Sequence, residues 1–427
     1  MSVLFKNINY LDLENEKILE DYDVFVEDNK ISKIAKDLKL KAYEVYDGKD
    51  KLLTPSFVNG HTHLGMSLFR NYADDLKLMD WLENKIWPIE AKLTPDDIYW
   101  GSLLSMAENI KSGVSCVCDM YYEMDRVCDG AIEIGLRGVF TRGLTDNDGL
   151  GEAKLKSFRK FYKNYNGRAG GRIRVAPAPH AIYTCSENYL REISEMAKNE
   201  FDDIIHIHLS ETKGELSDCQ KAHGMTPIAY VNFLGLLDSH VIAAHCVHIT
   251  DEEIDLVKDK RFYPIYNPSS NLKLASGFTP VEKILKNNIK MGIGTDGSSS
   301  NNNQNLMEDM HIGAIVNKAR EMDEEAVKAI EILKMATVNG EKAMGFDNIG
   351  LIKEGYIADL TVFDLNSNNF TPRNNLINAL VYSAQSEDIK DLMVDGKFLM
   401  KNRQLVTVDE EKIRYMVNKS MGDLLKR

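Results

Sequence analysis

Two histidines separated by one residue, His61-Thr62-His63, could carry the chemistry of this chain. They follow an apolar run that ends at Gly60, so the pattern predicts an extended strand here. Residues two apart on a strand point the same way, and both imidazoles can therefore reach one cation. The pair indicates a metal site, but two histidines also fall at this spacing by chance. A metal site would require further ligand residues at the ends of the other predicted strands.

Other histidines and carboxylates stand where further predicted strands end. The chain has only 10 histidines, so their concentration at strand ends is hard to attribute to chance. Three neutral imidazoles and one carboxylate suit a divalent cation of borderline softness, with water completing its shell. The strand-end residues are His61, His63, His180, His208 with Glu211, His245 and Asp296. The predicted metal ligands among them are His61, His63, His208 and Asp296.

The remaining strand-end residues are predicted to move protons. A bound metal would lower the pKa of its water toward neutrality and so provide a hydroxide for hydrolysis. Glu211, three residues after His208, could face the substrate without touching the metal, take a proton from the water and give it to a ring nitrogen. His245 could hold or deprotonate the same water, and Asp296 would double as ligand and proton shuttle. His206 shares the face of His208 and is a rival ligand.

A repeated alternation of strands and helices must position these residues. From residue 53 onward, short β-rich runs alternate with helical stretches such as residues 95–111 and 186–197. This alternation requires a parallel sheet with helices outside it, and eight repeats predict a closed (β/α)8 TIM barrel. Barrels of this kind place catalytic groups at the C-terminal ends of their strands. The predicted strands are residues 53–59, 115–120, 138–142, 173–178, 203–209, 241–245, 262–266 and 290–294.

Both ends of the chain lack this alternation of strands and helices, and their sequences predict short strands separated by turns. One set lies in residues 2–50, and a second set follows the barrel, where the turn pair Asp395-Gly396 separates alternating apolar residues. We predict that these strands meet in one small β-sandwich beside the barrel. The predicted domains are residues 1–55 as the N-terminal part of the sandwich, residues 56–350 as the catalytic barrel and residues 351–427 as the C-terminal part.

Composition excludes several classes of function. The formal net charge of -13 argues against nucleic acid as a partner, because binding to phosphate backbones needs lysine and arginine. No apolar run approaches the ~20 residues of a membrane span, and the first ten residues lack an apolar signal core. The 6 scattered cysteines contain no Cys-x-x-Cys pair and indicate reduced thiols in a cytoplasmic protein. The sequence leaves the number of subunits open, with a homo-oligomer among the alternatives.

Several motifs together resemble the amidohydrolase superfamily. The resemblance extends over nearly the whole chain and is closest to the S-adenosylhomocysteine/5'-methylthioadenosine deaminases. It implies a single divalent metal, zinc or in some members iron, held by the residues that match the four ligands given above. The fourth predicted strand ends in Pro177-Ala178-Pro179-His180, without the lysine that bridges two metals in binuclear relatives. The motifs are residues 55–63, 74–82, 141–144, 208–212, 244–248, 267–274, 294–297 and 355–360.

The same resemblance implies which residues contact a purine nucleoside substrate. Glu90 would bind the ribose hydroxyls, His180 would meet the purine, and Arg142 would help with the ribose or its 5' extension. Members that accept S-adenosylhomocysteine can carry a second arginine for the amino-acid carboxylate. This chain has Lys154 instead, which supplies charge without the bidentate fork. The preference among S-adenosylhomocysteine, 5'-methylthioadenosine, 5'-deoxyadenosine and adenosine therefore stays open.

The predicted activity is hydrolytic deamination of 5'-substituted adenosines to the inosine analogue and ammonia. In this scheme a metal-bound hydroxide attacks C6 and Glu211 protonates N1. One alternative is a relative acting on another ring, such as a guanine or cytosine deaminase or a triazine chlorohydrolase. Replacing Glu90 by alanine would discriminate, since it should harm ribosides and spare free bases. A second alternative is an inactive barrel that serves as a scaffold, whose sequence signature would be lost ligands.

Overall fold

The structure, a computed structural model, describes residues 2–76 and 78–427, except for the side chains of residues 78 and 79. Met1 and Lys77 lie outside this description, and with them part of the motif at residues 74–82. Among the described residues, no helix combines the length and the hydropathy that crossing a membrane requires.

Three groups of strands follow one another along the chain. The first strands belong to a sheet outside the barrel and are β1 (Ser2–Asp12), β2 (Lys17–Glu27), β3 (Lys30–Ala35), β4 (Glu44–Asp47) and β5 (Lys51–Pro55). The barrel strands are β6 (Phe57–His63), β7 (Val114–Tyr121), β8 (Arg137–Leu144), β9 (Ile173–Pro179), β10 (Ile204–Leu209), β11 (His240–His245), β12 (Phe262–Tyr266), β13 (Gly292–Ile293) and β14 (Asp296–Gly297). The last strands return to the first sheet and are β15 (Leu360–Asp364), β16 (Ile389–Val394), β17 (Lys397–Lys401) and β18 (Gln404–Leu405).

Helices follow most of the barrel strands, and the last two helices of the chain come later, after β15 and after β18. They are α1 (Leu78–Trp81), α2 (Trp87–Glu90), α3 (Pro95–Lys111), α4 (Met124–Ile134), α5 (Gly151–Tyr165), α6 (Arg168–Gly171), α7 (Glu187–Glu200), α8 (Lys213–His223), α9 (Pro227–Phe233), α10 (Asp251–Val257), α11 (Pro268–Lys273), α12 (Val281–Lys286), α13 (Leu306–Glu321), α14 (Ala329–Met335), α15 (Val338–Met344), α16 (Leu376–Tyr382) and α17 (Glu410–Leu424). Short 3-10 turns cover Leu64–Phe69, Leu236–Asp238, Asn368–Phe370 and Ser386–Asp388, and a π turn covers Leu82–Ile86.

The barrel strands are parallel and form two sheets. One sheet has the order β14-β6-β7-β8-β9 and the other β10-β11-β12-β13. The sheets approach each other at β9 and β10, where the backbone N–H of His208 donates to the carbonyl of His180 at 3.1 Å. On the opposite side the eighth strand is split, because β13 pairs with β12 and β14 pairs with β6. The predicted (β/α)8 barrel is confirmed.

Gly294, between the two pieces of the eighth strand, lies close to His61 of β6 and to Asn267. A Cβ atom there would stand 2.7 Å from the backbone nitrogen of His61 and 2.7 Å from Oδ1 of Asn267, so the close approach depends on glycine. Two predicted runs differ from the observed strands. The run 53–59 begins in β5 and crosses into β6 at Ser56, and the run 290–294 covers only the first piece of the eighth strand.

The terminal strands form one continuous nine-stranded sheet. Its order is β18-β17-β16-β15-β5-β1-β2-β3, with β4 pairing alongside β1. The link between the two chain ends is β5, which is antiparallel to β15 and parallel to β1. Side chains from both halves, such as Phe5 and Val362, share a core cluster separate from that of the barrel. The unit predicted from both chain ends is therefore present, although β1 pairs in parallel with β4 and β5 where antiparallel strands were predicted.

Candidate active site

Parallel register brings the strand-end residues to one edge of the barrel. Asp296 on β14 lies opposite Thr62 of β6, and Leu209 of β10 lies opposite His245 at the end of β11. Since parallel strands end at the same edge, residues far apart in sequence meet there. His61 and Asp296 are buried, and each approaches the barrel axis at this edge.

Nitrogen and oxygen atoms converge at the centre of this edge. Nε2 of His63 lies 3.2 Å from Nε2 of His208 and 3.2 Å from Oδ1 of Asp296. Nε2 of His61 lies 3.4 Å from the same carboxylate oxygen. The structure thus brings together all four residues that the sequence analysis selected as metal ligands.

The other ring nitrogen of each histidine is held by a fixed partner. Nδ1 of His63 donates to the carbonyl of Met120 at 2.6 Å, and Nδ1 of His208 donates to the carbonyl of His180 at 2.8 Å. A carbonyl only accepts, so Nδ1 of each of these two rings carries a proton, and in the neutral form of the ring the lone pair is on Nε2, which faces the cluster. Nδ1 of His61 lies 3.0 Å from Nε2 of His206.

The carboxylate of Asp296 is oriented by the loops around it. Oδ2 accepts from the hydroxyl of Ser270 at 2.6 Å, and Oδ1 accepts from the backbone N–H of Gly297 at 2.8 Å. Burial alone would raise the pKa of Asp296, but its interactions with the nearby imidazoles of His61 and His63 hold it well below its usual value. The carboxylate is therefore ionised at neutral pH. Its backbone φ of 63° is unusual for a residue other than glycine, and such outliers cluster at functional sites.

The histidines next to Asp296 differ in their pKa values. Burial lowers the pKa of His61 to about 3, despite the opposing effect of Asp296. Burial also acts to lower the pKa of His63, but the hydrogen bond and charge of Asp296 outweigh it and raise the value to about 9. Burial lowers the pKa of His208 well below 6.5. The neutral rings of His61 and His208 are in the state that ligates a cation.

This donor set fits a divalent metal. Two overlapping groups each have ligand atoms within 4.8 Å of one another, namely His61, His63, Asp296 and His61, His208, His245. The buried Nε2 atom of His61 has no hydrogen-bond partner among the described residues, as expected of a nitrogen whose partner is a cation. Imidazole nitrogen and carboxylate oxygen are donors that zinc and iron accept.

Glu211 and His245 face the same centre from the adjoining strands. Oε2 of Glu211 lies 3.9 Å from Nε2 of His245. Nδ1 of His245 contacts the side-chain nitrogens of Asn271 at 2.9 Å and Asn267 at 3.3 Å, which leaves Nε2 directed toward Glu211. Burial raises the pKa of Glu211. The charge of His245 opposes this increase, whereas the charge of Asp296 adds to it.

A cavity extends outward from this centre. The space between its lining residues is about 810 Å³, which includes open solvent at the mouth. Its inner end is formed by buried residues such as His208 and Glu211. At its mouth the aromatic side chains of Trp87, Tyr122 and Tyr183 are 38%, 45% and 47% exposed.

Two of the predicted substrate contacts, Glu90 and His180, also line this cavity. Glu90 accepts from the hydroxyl of Tyr121 at 2.7 Å, and burial raises its pKa to about 7 against the lowering effect of that hydrogen bond. Nδ1 of His180 lies 3.0 Å from the hydroxyl of Thr184. Burial and the charge of His63 lower the pKa of His180 to about 4, so its ring is neutral at pH 7.

The other two predicted substrate contacts are not among the residues that line the cavity. Thr141 on β8 contacts His206 inside the barrel, and Arg142 points to the other side of this strand because side chains alternate along it. Its charge acts on Asp125 of α4, whose pKa burial raises and Arg142 lowers. Lys154 lies on α5 and is bonded to Asp148 and Thr145.

Several supporting residues were not selected from the sequence. Glu215 accepts from the backbone N–H groups of Ser210 and Glu211 at 2.9 and 2.7 Å and so fixes the turn that presents Glu211. The signal for it was present, since Glu215 is the third residue after the helix-capping Thr212. Asn271 was visible only as part of a family motif, because its contact with His245 links two distant loops.

The chain was compared with known families and proteins. A profile of the amidohydrolase family matches residues 52–399. A 5-methylthioadenosine/S-adenosylhomocysteine deaminase from Caldanaerobacter subterraneus subsp. tengcongensis is 48% identical over 430 residues, covering 100% of this chain and 99% of that protein. One of the same name from Thermoanaerobacter pseudethanolicus is 46% identical over 432 residues, with 100% of both chains covered. The crystal structure of an adenosine deaminase from Xanthomonas campestris with bound zinc matches with a TM-score of 0.95 and 29% identity, covering 100% of this chain and 99% of that one.

Proposed function

Because the chain belongs to the amidohydrolase family, we propose that its cavity performs the hydrolytic deamination of 5'-substituted adenosines. The products are the inosine analogue and ammonia. The observation that carries the proposal is the meeting of the His63, His208 and Asp296 ligand atoms at the inner end of a cavity that Glu211 and Glu90 also line. A metal centre, a proton carrier and a carboxylate for a diol are thus arranged along one path.

We propose one zinc ion as the cofactor, with iron as the alternative. When bound, the cation supplies Lewis acidity that lowers the pKa of a water molecule and so provides a nucleophile at neutral pH. Its proposed ligands are His61, His63, His208 and Asp296. The hydrogen bonds to Met120 and His180 keep two of the rings in the orientation that ligation needs.

The proton transfers are assigned to residues around this centre. Glu211 removes a proton from the attacking water and gives it to N1 of the purine, which makes C6 more electrophilic. Burial raises the pKa of Glu211, which favours a carboxyl group that holds a proton before passing it on. Nε2 of His245 holds the water in line with C6. Asp296 passes the second proton to the amino group, which leaves as ammonia.

In this proposal the purine base lies at the inner end of the cavity, the ribose follows it, and the 5' substituent lies at the mouth. His180 and Glu211 meet the base at the inner end, and Glu90 binds the 2' and 3' hydroxyls. The 5' substituent then extends toward Trp87, Tyr122 and Tyr183 at the mouth. We also infer a cytoplasmic location, because all 6 cysteines are free and buried, as in a reducing compartment.

A substrate panel tests the proposal. We expect the zinc-loaded protein to release ammonia from 5'-methylthioadenosine, S-adenosylhomocysteine, 5'-deoxyadenosine or adenosine, with a coupled glutamate dehydrogenase assay as the readout. Guanine, cytosine and a chlorotriazine serve as controls for the relatives that act on other rings. Turnover of one of these controls with no turnover of any adenosine would contradict the proposal.

Glu90→Ala is expected to lower kcat/KM for adenosine by about a hundredfold, since two hydrogen bonds from hydroxyls to a carboxylate are lost. Turnover of 2',3'-dideoxyadenosine, which lacks both hydroxyls, should change little. The measurement is the ratio of the two kcat/KM values in each protein. In the wild type this ratio should fall as the pH drops below about 7, because protonation of Glu90 removes its charge and turns one of its two acceptor oxygens into a donor.

The alanine variant supplies the control for that pH dependence. Its ratio should be independent of pH, since no carboxyl group is left at this place to titrate. If Glu90→Ala lowered kcat/KM equally for both nucleosides, Glu90 would support the fold of the protein and would not bind the 2' and 3' hydroxyls.

A further inference from the structure

The loop between β8 and α5 forms one edge of the cavity mouth. Thr145 at its start lines the cavity, and residues 147–150 are exposed. Lys154, one turn into α5, reaches back to this loop. The ammonium group of Lys154 is therefore part of the loop's own bonding.

The ammonium group of Lys154 uses all of its hydrogen-bonding capacity within this loop. Nζ donates to the hydroxyl of Thr145 at 2.6 Å, to the carbonyl of Thr145 at 3.1 Å and to Oδ2 of Asp148 at 2.6 Å. A lysine ammonium has three N–H donors, so none is left for a ligand. The charge of Asp148 also compensates that of Lys154.

We propose that Asp148 is a specificity-determining residue, which holds Lys154 and makes the pocket select adenosines with neutral 5' substituents over those with a zwitterionic amino acid. This inference rests on the proposed function. It assigns 5'-methylthioadenosine and 5'-deoxyadenosine as better substrates than S-adenosylhomocysteine. The carboxylate of the latter meets no available N–H donor of Lys154, and its charged groups must leave water to enter the mouth.

The rest of the mouth agrees with a neutral substituent. Trp87, Tyr122 and Tyr183 offer aromatic surface, on which a thioether makes favourable contacts. Asp148 lies near this surface, since its charge, after burial and Glu90, contributes to raising the pKa of Tyr122.

The other charged groups near the loop are directed elsewhere. Both carboxylate oxygens of Asp146 accept hydrogen bonds from Ser186 at the start of α7. Arg142 lies on the side of β8 that faces Asp125. Asp148 and Lys154 thus form the charged pair closest to Thr145 at the mouth.

Asp148→Asn tests the inference. The wild type should have a kcat/KM for 5'-methylthioadenosine at least about tenfold above that for S-adenosylhomocysteine. The substitution removes the compensating charge, and the ratio of kcat/KM for S-adenosylhomocysteine to that for 5'-methylthioadenosine should rise about tenfold, the effect of one charge-assisted hydrogen bond. Adding Lys154→Met to Asp148→Asn should return the ratio to near the wild-type value, because the released cation is then gone.

Glu152→Gln is the matched control. It removes one negative charge from the exposed first turn of α5 and leaves the Lys154 pair intact, so the ratio should not change. A wild-type preference for S-adenosylhomocysteine, or a ratio that is unchanged or lower in Asp148→Asn, would overturn the inference while leaving the proposed function in place. Absence of turnover with every adenosine would overturn both.

Discussion

Glu211→Gln is expected to lower kcat for 5'-methylthioadenosine by about a thousandfold, within the range attributed to a single acid–base group. Glutamine has nearly the same shape, but it cannot take a proton from water and return it to a ring nitrogen. The backbone of Glu211 is fixed by Glu215 at 2.7 Å, so the turn should survive the substitution. The measurements are kcat from ammonia release and the metal content of the purified protein, which should match that of the wild type.

A second buried glutamate provides the control for this prediction. Glu253 is buried at the start of α10, where it accepts from the backbone N–H of Ile228 at 3.0 Å and lies outside the cavity lining. Glu253→Gln makes the same chemical change at another helix start and should retain most of the activity. If Glu211→Gln kept more than about a tenth of the wild-type kcat, Glu211 would not be the proton carrier.

His208→Ala is expected to remove the metal and with it the activity. The residue supplies a nitrogen 3.2 Å from that of His63, and alanine has no replacement donor. Elemental analysis should find less than about a tenth of a metal ion per chain, because loss of a ligand weakens affinity even more than loss of its supporting partners does. Ammonia release should fall to the uncatalysed background.

Thermal unfolding gives a readout of the same variant that does not depend on turnover. A cation present at a thousand times its dissociation constant adds about 4 kcal/mol to the stability of the folded state. A chelator should therefore lower the melting temperature of the wild type and leave that of His208→Ala unchanged. His248→Ala, which removes a histidine bonded to the carbonyl of Ser276 at 2.8 Å outside the cavity lining, should respond like the wild type.

Strand-end residues were the part of the site most accessible from sequence. A buried parallel strand is a continuous apolar run, so the position of a histidine or aspartate at its end is visible without any structure. His61, His208 and Asp296 were found in this way, and the barrel geometry then requires that they meet. The periodicity of two also placed His206 on the face of His208, but it could not tell that His206 sits deeper, behind His61.

The hydrogen bonds that side chains make to residues in loops could not be predicted from the sequence. Lys154 was predicted to contact the substrate, and its three acceptors lie six and nine residues away along a loop whose path no periodic pattern describes. For Arg142 the sequence carried a further signal, because alternation along a strand places it on the side opposite to Thr141. The change from one sheet to another at Ser56 could not be predicted from the sequence either. Both β5 and β6 are buried, so they form one apolar run without a break.

That change of sheet at Ser56 has a consequence for how the protein is made. β5 leads directly into β6, the strand that carries His61 and His63, and its residues Leu52 and Leu53 pair with β15. During synthesis β5 emerges early, whereas β15 follows only after nearly the whole barrel. One edge of β5 therefore stays unpaired while the barrel forms beside it. Unpaired strand edges can form hydrogen bonds with other chains, which leads to aggregation. The second edge of β5, which leads into the strand of His61 and His63, is thus among the last parts of the protein to be paired during folding on the ribosome.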